Sequence, residues 1–467
     1  MSRMSAQTSD RADTERARLL SELAHHIAWI DARIGAQLDV VLQHPRFQKL
    51  EADWRGLAYL VDHGCRHRSI IMRILAITHD ELAKDVARAL EIDQTQIFRL
   101  IHAEEFDMPG GLPYGLLLVD MPVPHAPRAD GGGDDLGWLA GLAAVGAAAF
   151  APVIVPAAAG LFGLSSFSEM SATGDIGALL ADGEHRRWQA LRQRDEARFL
   201  GVVVPRVLMR VPYRDDGSLR HGFCYTESRA RGHDAFLWGS GIYAFAARVA
   251  DVFARHGWLG DLTGIGSEED RRGLIADLPN GPFGLGRCDS DGIGFERRGV
   301  EINLSEHLAH HLADCGFIVL APCAYRPWLA IFDCPSLGIG TARGLARTAD
   351  RITGMLPHIL SLCRFAHYIK VIARDRIGSF TDVGRFEDYL GGWLKSYCIG
   401  NPDASPVQKA RYPLREAQLR IRAVPGRPGA LACVIHLVPH IEPRQAVVGF
   451  DLYTEFEGRI DNRARPA

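Results

Sequence analysis

No C-x-x-C pair, no G-x-x-x-x-G-K-[ST] loop, no G-x-S-x-G elbow and no H-E-x-x-H helix occurs in this 467-residue chain. Each absence removes a class of chemistry. The first withdraws the usual redox and zinc-ribbon pairs, the second a backbone cradle for nucleotide phosphates. The third withdraws a serine nucleophile on a strained turn, and the fourth a zincin site. Charge of one sign is lacking too: 53 Lys and Arg meet 56 Asp and Glu, for a net −3. So balanced a chain has no overall field to hold nucleic acid or a membrane surface. The nine cysteines are odd in number and scattered, which suits buried thiols in a reducing compartment. The opening MSRMSAQTSDRADTERARLL carries acidic residues and no apolar core, so the expectation is a cytoplasmic chain without a signal peptide.

One stretch tests the absence of a membrane span. Residues 136–168 carry no charge, and by length alone they could cross a bilayer. Ala and Gly dominate, however, and Pro152 and Pro156 bracket a short VIV run. The pattern predicts a small-residue helix over about 138–149 and a buried strand at 153–155, with no membrane insertion.

What is present reads as three pieces. After a polar tail of some fifteen residues, expected to be mobile, comes a long helix. Leu19, Leu20, Leu23, Ile27, Ile30, Ile34, Leu38 and Val41 fall on one stripe at 3.6 residues per turn. That stripe could pack on its own domain or on another chain, and Pro45 ends or kinks the helix. Residues 1–54 are this tail and arm. Over 55–354, β-like runs (RSIIMRILAI, YGLLLVDM, FLGVVVPRVLMRV) alternate with helical ones. THDELAKDVARALE carries a capping box from Thr78 to Glu81; a helix is expected over about 236–256. The interleaving predicts an α/β domain with a mixed or parallel sheet. Over 355–467, two helices (about 345–375, with a break at Pro357, and 382–398) precede three strands, which is an α+β pattern.

Three constellations compete for chemistry. SLCRFAHYIKVIARDRIGSF (361–380) brings Cys363, His367, Lys370 and Asp375 together, which would suit a cytosolic Cys/His enzyme. Asp375 is two turns too far to orient His367, and nothing obvious forms an oxyanion site. Helical geometry separates the stretch differently. Leu362, Phe365, Ala366, Ile369, Ile372 and Ala373 share one face, while Arg364, His367, Lys370 and Arg374 form a basic stripe on the other. That stripe reads as an exposed edge, either solvated or docked on an acidic partner. From Arg364 onward 16 basic residues meet 11 acidic ones, an excess of 16 − 11 = +5 that also favours an anionic partner. In SEHLAHHLADC (305–315), His307 and His311 have a spacing that can bind zinc. Ser305 as cap and Gly316 as stop explain an ordinary wet helix equally well. LGIGTARGLAR (337–347) misses the dinucleotide fingerprint by one residue and follows no clear strand. No cofactor is expected.

Long collinear blocks carry a more specific signal. HPRFQKLEADWRGLAYLV, EIDQTQIFRLIHAEEFDMPGGLPYGLLLVD, APVIVPAAAGLFGL, RFLGVVVPRVLMRVPY, FLWGSGIYAFAARV, RFAHYIKVIARDRIGSF and KARYPLREAQLRIRAVPGRPGA resemble, in order, the large subunit of the type VI secretion contractile sheath, the TssC/VipB family. The resemblance implies an α/β sheath domain with mixed sheet, a smaller C-terminal α+β module like gp25/gpW, and an N-terminal helical arm. It implies a structural protein that pairs with the small subunit TssB, polymerises around the Hcp tube, meets the baseplate and drives the tube out on contraction. Neither nucleotide nor metal is needed for that stroke. It also gives the basic stripe of Arg364, His367, Lys370 and Arg374 an expected role, gripping an acidic strip of the tube.

Two departures qualify the resemblance. Only 24 residues precede the segment 25–47, before whose counterpart typical relatives carry several tens of residues. In the family that extension supplies a linker strand and a short helix read by the disassembly ATPase ClpV. Either the stripe of Leu19, Leu20, Leu23, Ile27 and Ile30 substitutes for part of it, or one or both contacts are lacking. The acidic loop common near 127–135 is replaced by ADGGGDD. A specialised paralogue that caps or modulates a sheath therefore stands beside the main reading.

Overall fold

Valine and isoleucine runs bounded by prolines form strands whose side chains alternate between two faces, and here both faces are covered. The structure, a computed structural model, describes residues 2–67, 69–124, 136–213, 222–223, 225–228, 232–264, 271–276, 278–279, 299–302, 304–323, 328–338, 354–376, 383–401, 403–423, 430–440 and 450–457. At its centre β1 (Leu117–Leu118), β2 (Val153–Pro156), β3 (Leu200–Val204) and β7 (Phe317–Val319) form a parallel sheet in the order β1-β2-β3-β7. Val153, Val155, Val202, Val204, Phe317 and Val319 point into one core, while Ile154, Val203 and Ile318 point into the other. A parallel sheet buried on both sides requires this near-continuous apolar run.

The first core is closed by α3 (His79–Arg88), the segment Gln96–Asp107, α4 (Gly137–Ala148) and α6 (Glu306–Asp314), with Trp138 and Trp188 fully buried. The second is closed by α2 (Pro45–Cys65), α5 (Ile242–His256) and the first turns of α7 (Leu356–Arg376). Gly201 faces this core, where a Cβ would lie 2.7 Å from Ile154 and 2.9 Å from Ile318. The missing side chain lets Leu356 of α7 approach the sheet. Smaller antiparallel pieces flank the sheet: β4 (Val207–Arg210) with β5 (Leu237–Gly239), and β6 (Leu274–Ile275), β9 (Leu329–Ala330) and β8 (Ala321–Pro322) in that spatial order.

A third core belongs to the C-terminal module. Phe365, Ile369 and Ala373 of α7 pack with Phe386, Leu390 and Leu394 of α8 (Val383–Lys395) against Ile421, Cys433, Ile435 and Leu437. Those last residues lie on the antiparallel sheet β10 (Leu414–Ala423), β11 (Ala430–Pro439) and β12 (Phe450–Glu457). The α/β body with mixed sheets, the α+β module and the helical arm are therefore as expected.

Several local expectations need correction. The arm, α1, is helical from Ser2 to Leu42, so the polar residues expected as a mobile tail are part of the helix. The expected boundary at 54/55 falls inside α2, whose Ala52 and Tyr59 share one core. His44 caps α2 and separates it from α1. The predicted helix over 236–256 opens with β5 before α5 begins at Ile242. Pro357 does not break a helix: it sits in the first turn of α7, where its missing N–H costs nothing. RSIIMRILAI, expected as a strand, pairs with no strand among the described residues. The uncharged 136–168 stretch is α4, then β2, as predicted. Among the described residues no helix is long and apolar enough to cross a membrane. The glycine-rich 127–135 loop and most of LGIGTARGLAR lie outside the described residues.

Candidate interface sites

The basic stripe of α7 occupies one side of the helix, yet that side is not an exposed edge. Only Asp375 among the residues of α7 whose burial is described is exposed. The neighbour is the segment Gln96–Asp107, of which Arg99–Asp107 is wound as a π-helix. The π-helix ends with the Met108 amide bonded to the Ala103 carbonyl, five residues back. This turns Phe106 toward His367, 5.8 Å between rings, and leaves Asp107 facing Lys370. Lys370 Nζ donates to Asp107 at 3.0 Å and lies 5.4 Å over the Phe106 ring. Arg374 donates from Nη1 to the Met108 carbonyl at 2.5 Å and from Nη2 to the Gly111 carbonyl at 3.3 Å. Arg364 donates to the Tyr368 hydroxyl at 3.1 Å and lies over that ring at 4.7 Å.

His367 is buried. Its Nε2–H donates to the Ala149 carbonyl at 2.9 Å, and Nδ1 accepts from Arg364 Nη1 at 3.3 Å. Those two partners select the neutral tautomer. Burial, with the Arg364 charge adding to it, pushes the imidazole down to about 4. The stripe expected to grip an acidic tube is thus engaged with the body of its own chain. It stitches the C-terminal module to residues 106–111 and Ala149. Helical periodicity separates the two faces of α7 correctly but cannot reveal what packs on the polar one.

The same contacts bear on Cys363 as a nucleophile. Its thiol is buried and pushed well up by that burial, so the thiolate that attack requires is disfavoured. Both ring nitrogens of His367 already have partners. At the second constellation, Ser305 caps α6 through the Leu308 amide at 3.2 Å, and Gly316 ends it at φ +92. His311 meets Asp175 at 3.0 Å, and His310 meets Asp333 at 3.4 Å. His307 lies 6.5 Å from His311, ring to ring. Among the described residues no three His, Cys, Asp or Glu side chains gather in a way that could hold a metal ion.

The arm gives the opposite picture. Leu19 is 61% exposed, Leu20 56%, Leu23 57%, Ile27 50% and Ile30 48%. Trp29 of α1 and Leu50 and Trp54 of α2 are exposed as well. Large apolar side chains left out of the fold in a contiguous row mark a place for another protein. Near its C-terminal end the arm is held by hydrogen bonds. Asp39 accepts from the Tyr225 hydroxyl at 2.6 Å and from the Ser228 amide at 3.0 Å, and Gln43 donates to the Ser228 carbonyl at 2.6 Å. Beneath, Arg210 bridges Glu51 of α2 at 2.8 Å and Glu227 at 2.6 Å, all three largely buried. Sequence reasoning did not find this network. Its residues lie 159 and 17 positions apart, and no local spacing could reveal it.

Two family profiles match the chain in tandem. The VipB profile, described as EvpB/VC_A0108 tail sheath N-terminal domain, covers residues 24–338. The second, the EvpB/VC_A0108 tail sheath gpW/gp25-like domain, covers residues 345–456 and so takes in the whole of α7. A relative from Pseudomonas aeruginosa, the type VI secretion system sheath protein TssC1, is 30% identical over 436 residues. That alignment spans 92% of this chain and 84% of the relative.

Proposed function

This chain belongs to the VipB/TssC family, the large subunits of the type VI secretion sheath, and from that premise we propose that it works as a polymerising subunit in the cytoplasm. It pairs with the small sheath subunit TssB, and the pairs stack in helical rings around the Hcp tube, beginning at the baseplate. Contraction of the rings then drives the tube outward. The family is a structural one, and the stroke comes from subunit rearrangement, as in other bistable interfaces.

One observation supports assembly above the others: the row of Leu19, Leu20, Leu23, Ile27 and Ile30 on α1, at least about half exposed along its length. A row of this kind costs solubility unless another chain covers it. We propose a neighbouring subunit as its main partner, with ClpV recognition a second use of the same helix. The stripe of Arg364, His367, Lys370 and Arg374 is assigned a different task from the one first expected. It clamps the C-terminal module to the sheath body, so the tube contact falls to other residues of that module. We further propose that the chain divides into arm, body and module close to the expected limits, with the first boundary moved to the α1–α2 joint.

Affinity purification of a tagged small subunit from cells producing both chains tests the pairing. The expected result is recovery of the two in a one-to-one ratio. Recovery of the small subunit alone contradicts the proposal.

A further inference from the structure

Near its C-terminal end α1 meets residues 225–228 along one side. Gly35, Asp39 and Gln43 stand four residues apart and so share a face of the helix. Asp39 Oδ1 accepts from both the Tyr225 hydroxyl, at 2.6 Å, and the Ser228 amide, at 3.0 Å. Gln43 donates to the Ser228 carbonyl at 2.6 Å. The Tyr225 ring lies against Gly35, where a Cβ would come within 3.8 Å of it. At 3.6 residues per turn this face is centred roughly 150° round the helix from Leu19, Leu20, Leu23, Ile27 and Ile30. The apolar row is therefore turned away from the segment that holds the arm.

That segment is itself anchored in the body, through a residue lying between its two arm contacts. Glu227 is buried and accepts from Arg210 Nη1 at 2.6 Å and from the Tyr213 amide at 3.1 Å. Its own amide donates to the Tyr213 carbonyl at 2.9 Å. Arg210 of β4 in turn reaches Glu51 of α2 at 2.8 Å. Residues 225–228, β4 and α2 thus form one block against which the arm is set. The joint between α1 and α2, at Gln43 and His44, would by itself leave α1 free to roll and tilt. A helix so released would turn its apolar row back onto its own chain, where Leu50 and Trp54 are exposed.

We propose that residues 225–228 are a strap and Asp39 a positioning residue, which together fix the roll of α1 and present its apolar row outward to the neighbouring subunit. This rests on the reading of that row as an interface and adds what keeps it open. A helix preset in its binding orientation does not have to be ordered when the partner arrives. Without the strap, only the fraction of chains that present the row can be joined, and apparent affinity falls by that fraction.

Double electron–electron resonance on the full chain reads the arm's orientation, with genetically encoded labels at the exposed Ser21 of α1 and Lys84 of α3. A narrow distance distribution is expected for the parent chain and for Asp39→Asn, whose amide oxygen can still accept both hydrogen bonds. Asp39→Ala and Tyr225→Phe are expected to broaden it. Alanine is the better helix former, so α1 itself is not weakened. Sedimentable assembly with the co-produced small subunit is expected to fall about tenfold in Asp39→Ala, as for a row presented a tenth of the time. Asp39→Asn should assemble like the parent. A narrow distribution in Asp39→Ala, or equal broadening in Asp39→Asn, overturns the strap. Broadening with undiminished assembly overturns its role in presentation. Leu23→Glu combined with Ile27→Glu leaves the strap contacts intact and tests the row alone. Undiminished assembly there overturns the reading of the row as an interface, while the distance distributions still decide the strap.

Discussion

Cys363 and His367 stand one turn apart on α7, yet burial moves their titrations away from each other and from neutrality, the thiol up and the imidazole down to about 4. The buried His358 is likewise pushed down to about 4. Between pH of about 6.5, the ordinary histidine value, and about 4, the unfolded chain binds protons that the folded chain refuses. The stability these neutral imidazoles contribute is complete above that window, falls as pH drops through it, and changes no further below it. Melting temperature measured against pH should therefore decline between about 6.5 and 4. His367→Gln, whose amide can still donate to the Ala149 carbonyl, should flatten part of that slope. An unchanged slope would show that His367 protonates without penalty. At this scale, spacing in the sequence places Arg364, His367, Lys370 and Arg374 on one side of α7. It misleads on exposure, because the partners Asp107, Met108 and Ala149 are more than 200 positions away.

Among the elements, β2, β3, β10, β11 and β12 were legible because alternation or continuous apolar runs between proline and glycine turns leave few alternatives. The capping box at Thr78 and Glu81 likewise appears where it was read, with both of its hydrogen bonds made. The π-helix was not legible: nothing in RLIHAEEFD departs from an ordinary helical pattern. Its extra residue per turn has a consequence for packing, since it brings Phe106 and Asp107 to α7 while Glu105 receives Arg73 from RSIIMRILAI. The Lys370–Asp107 pair is the simplest point at which to test this junction. Asp107 is 61% exposed, so solvent screening limits the pair to about 0.2–1 kcal/mol. A double-mutant cycle with Lys370→Asp and Asp107→Lys should give a coupling energy of about that size, with the swapped pair recovering part of the loss. Strict additivity of the two single losses would mean that the contact contributes nothing to the junction. RSIIMRILAI reads as a strand on composition, yet among the described residues it pairs with none.

At the scale of the molecule, two cores meet along α7: its first turns close the second core and its middle builds the third. Body and C-terminal module therefore share a helix as well as the stitches at residues 106–111, and rearrangement during contraction is expected to move them together. By contrast α1 carries an exposed apolar row. A subunit so firm within and so incomplete at its edges is suited to a polymer. Electron microscopy of negatively stained material, from cells producing this chain and the small sheath subunit together, tests that claim most directly. Long hollow tubules with helical striation and both chains present are predicted; discrete particles of fixed size, with no tubules at any salt or protein concentration, would contradict it and favour a capping or modulating role.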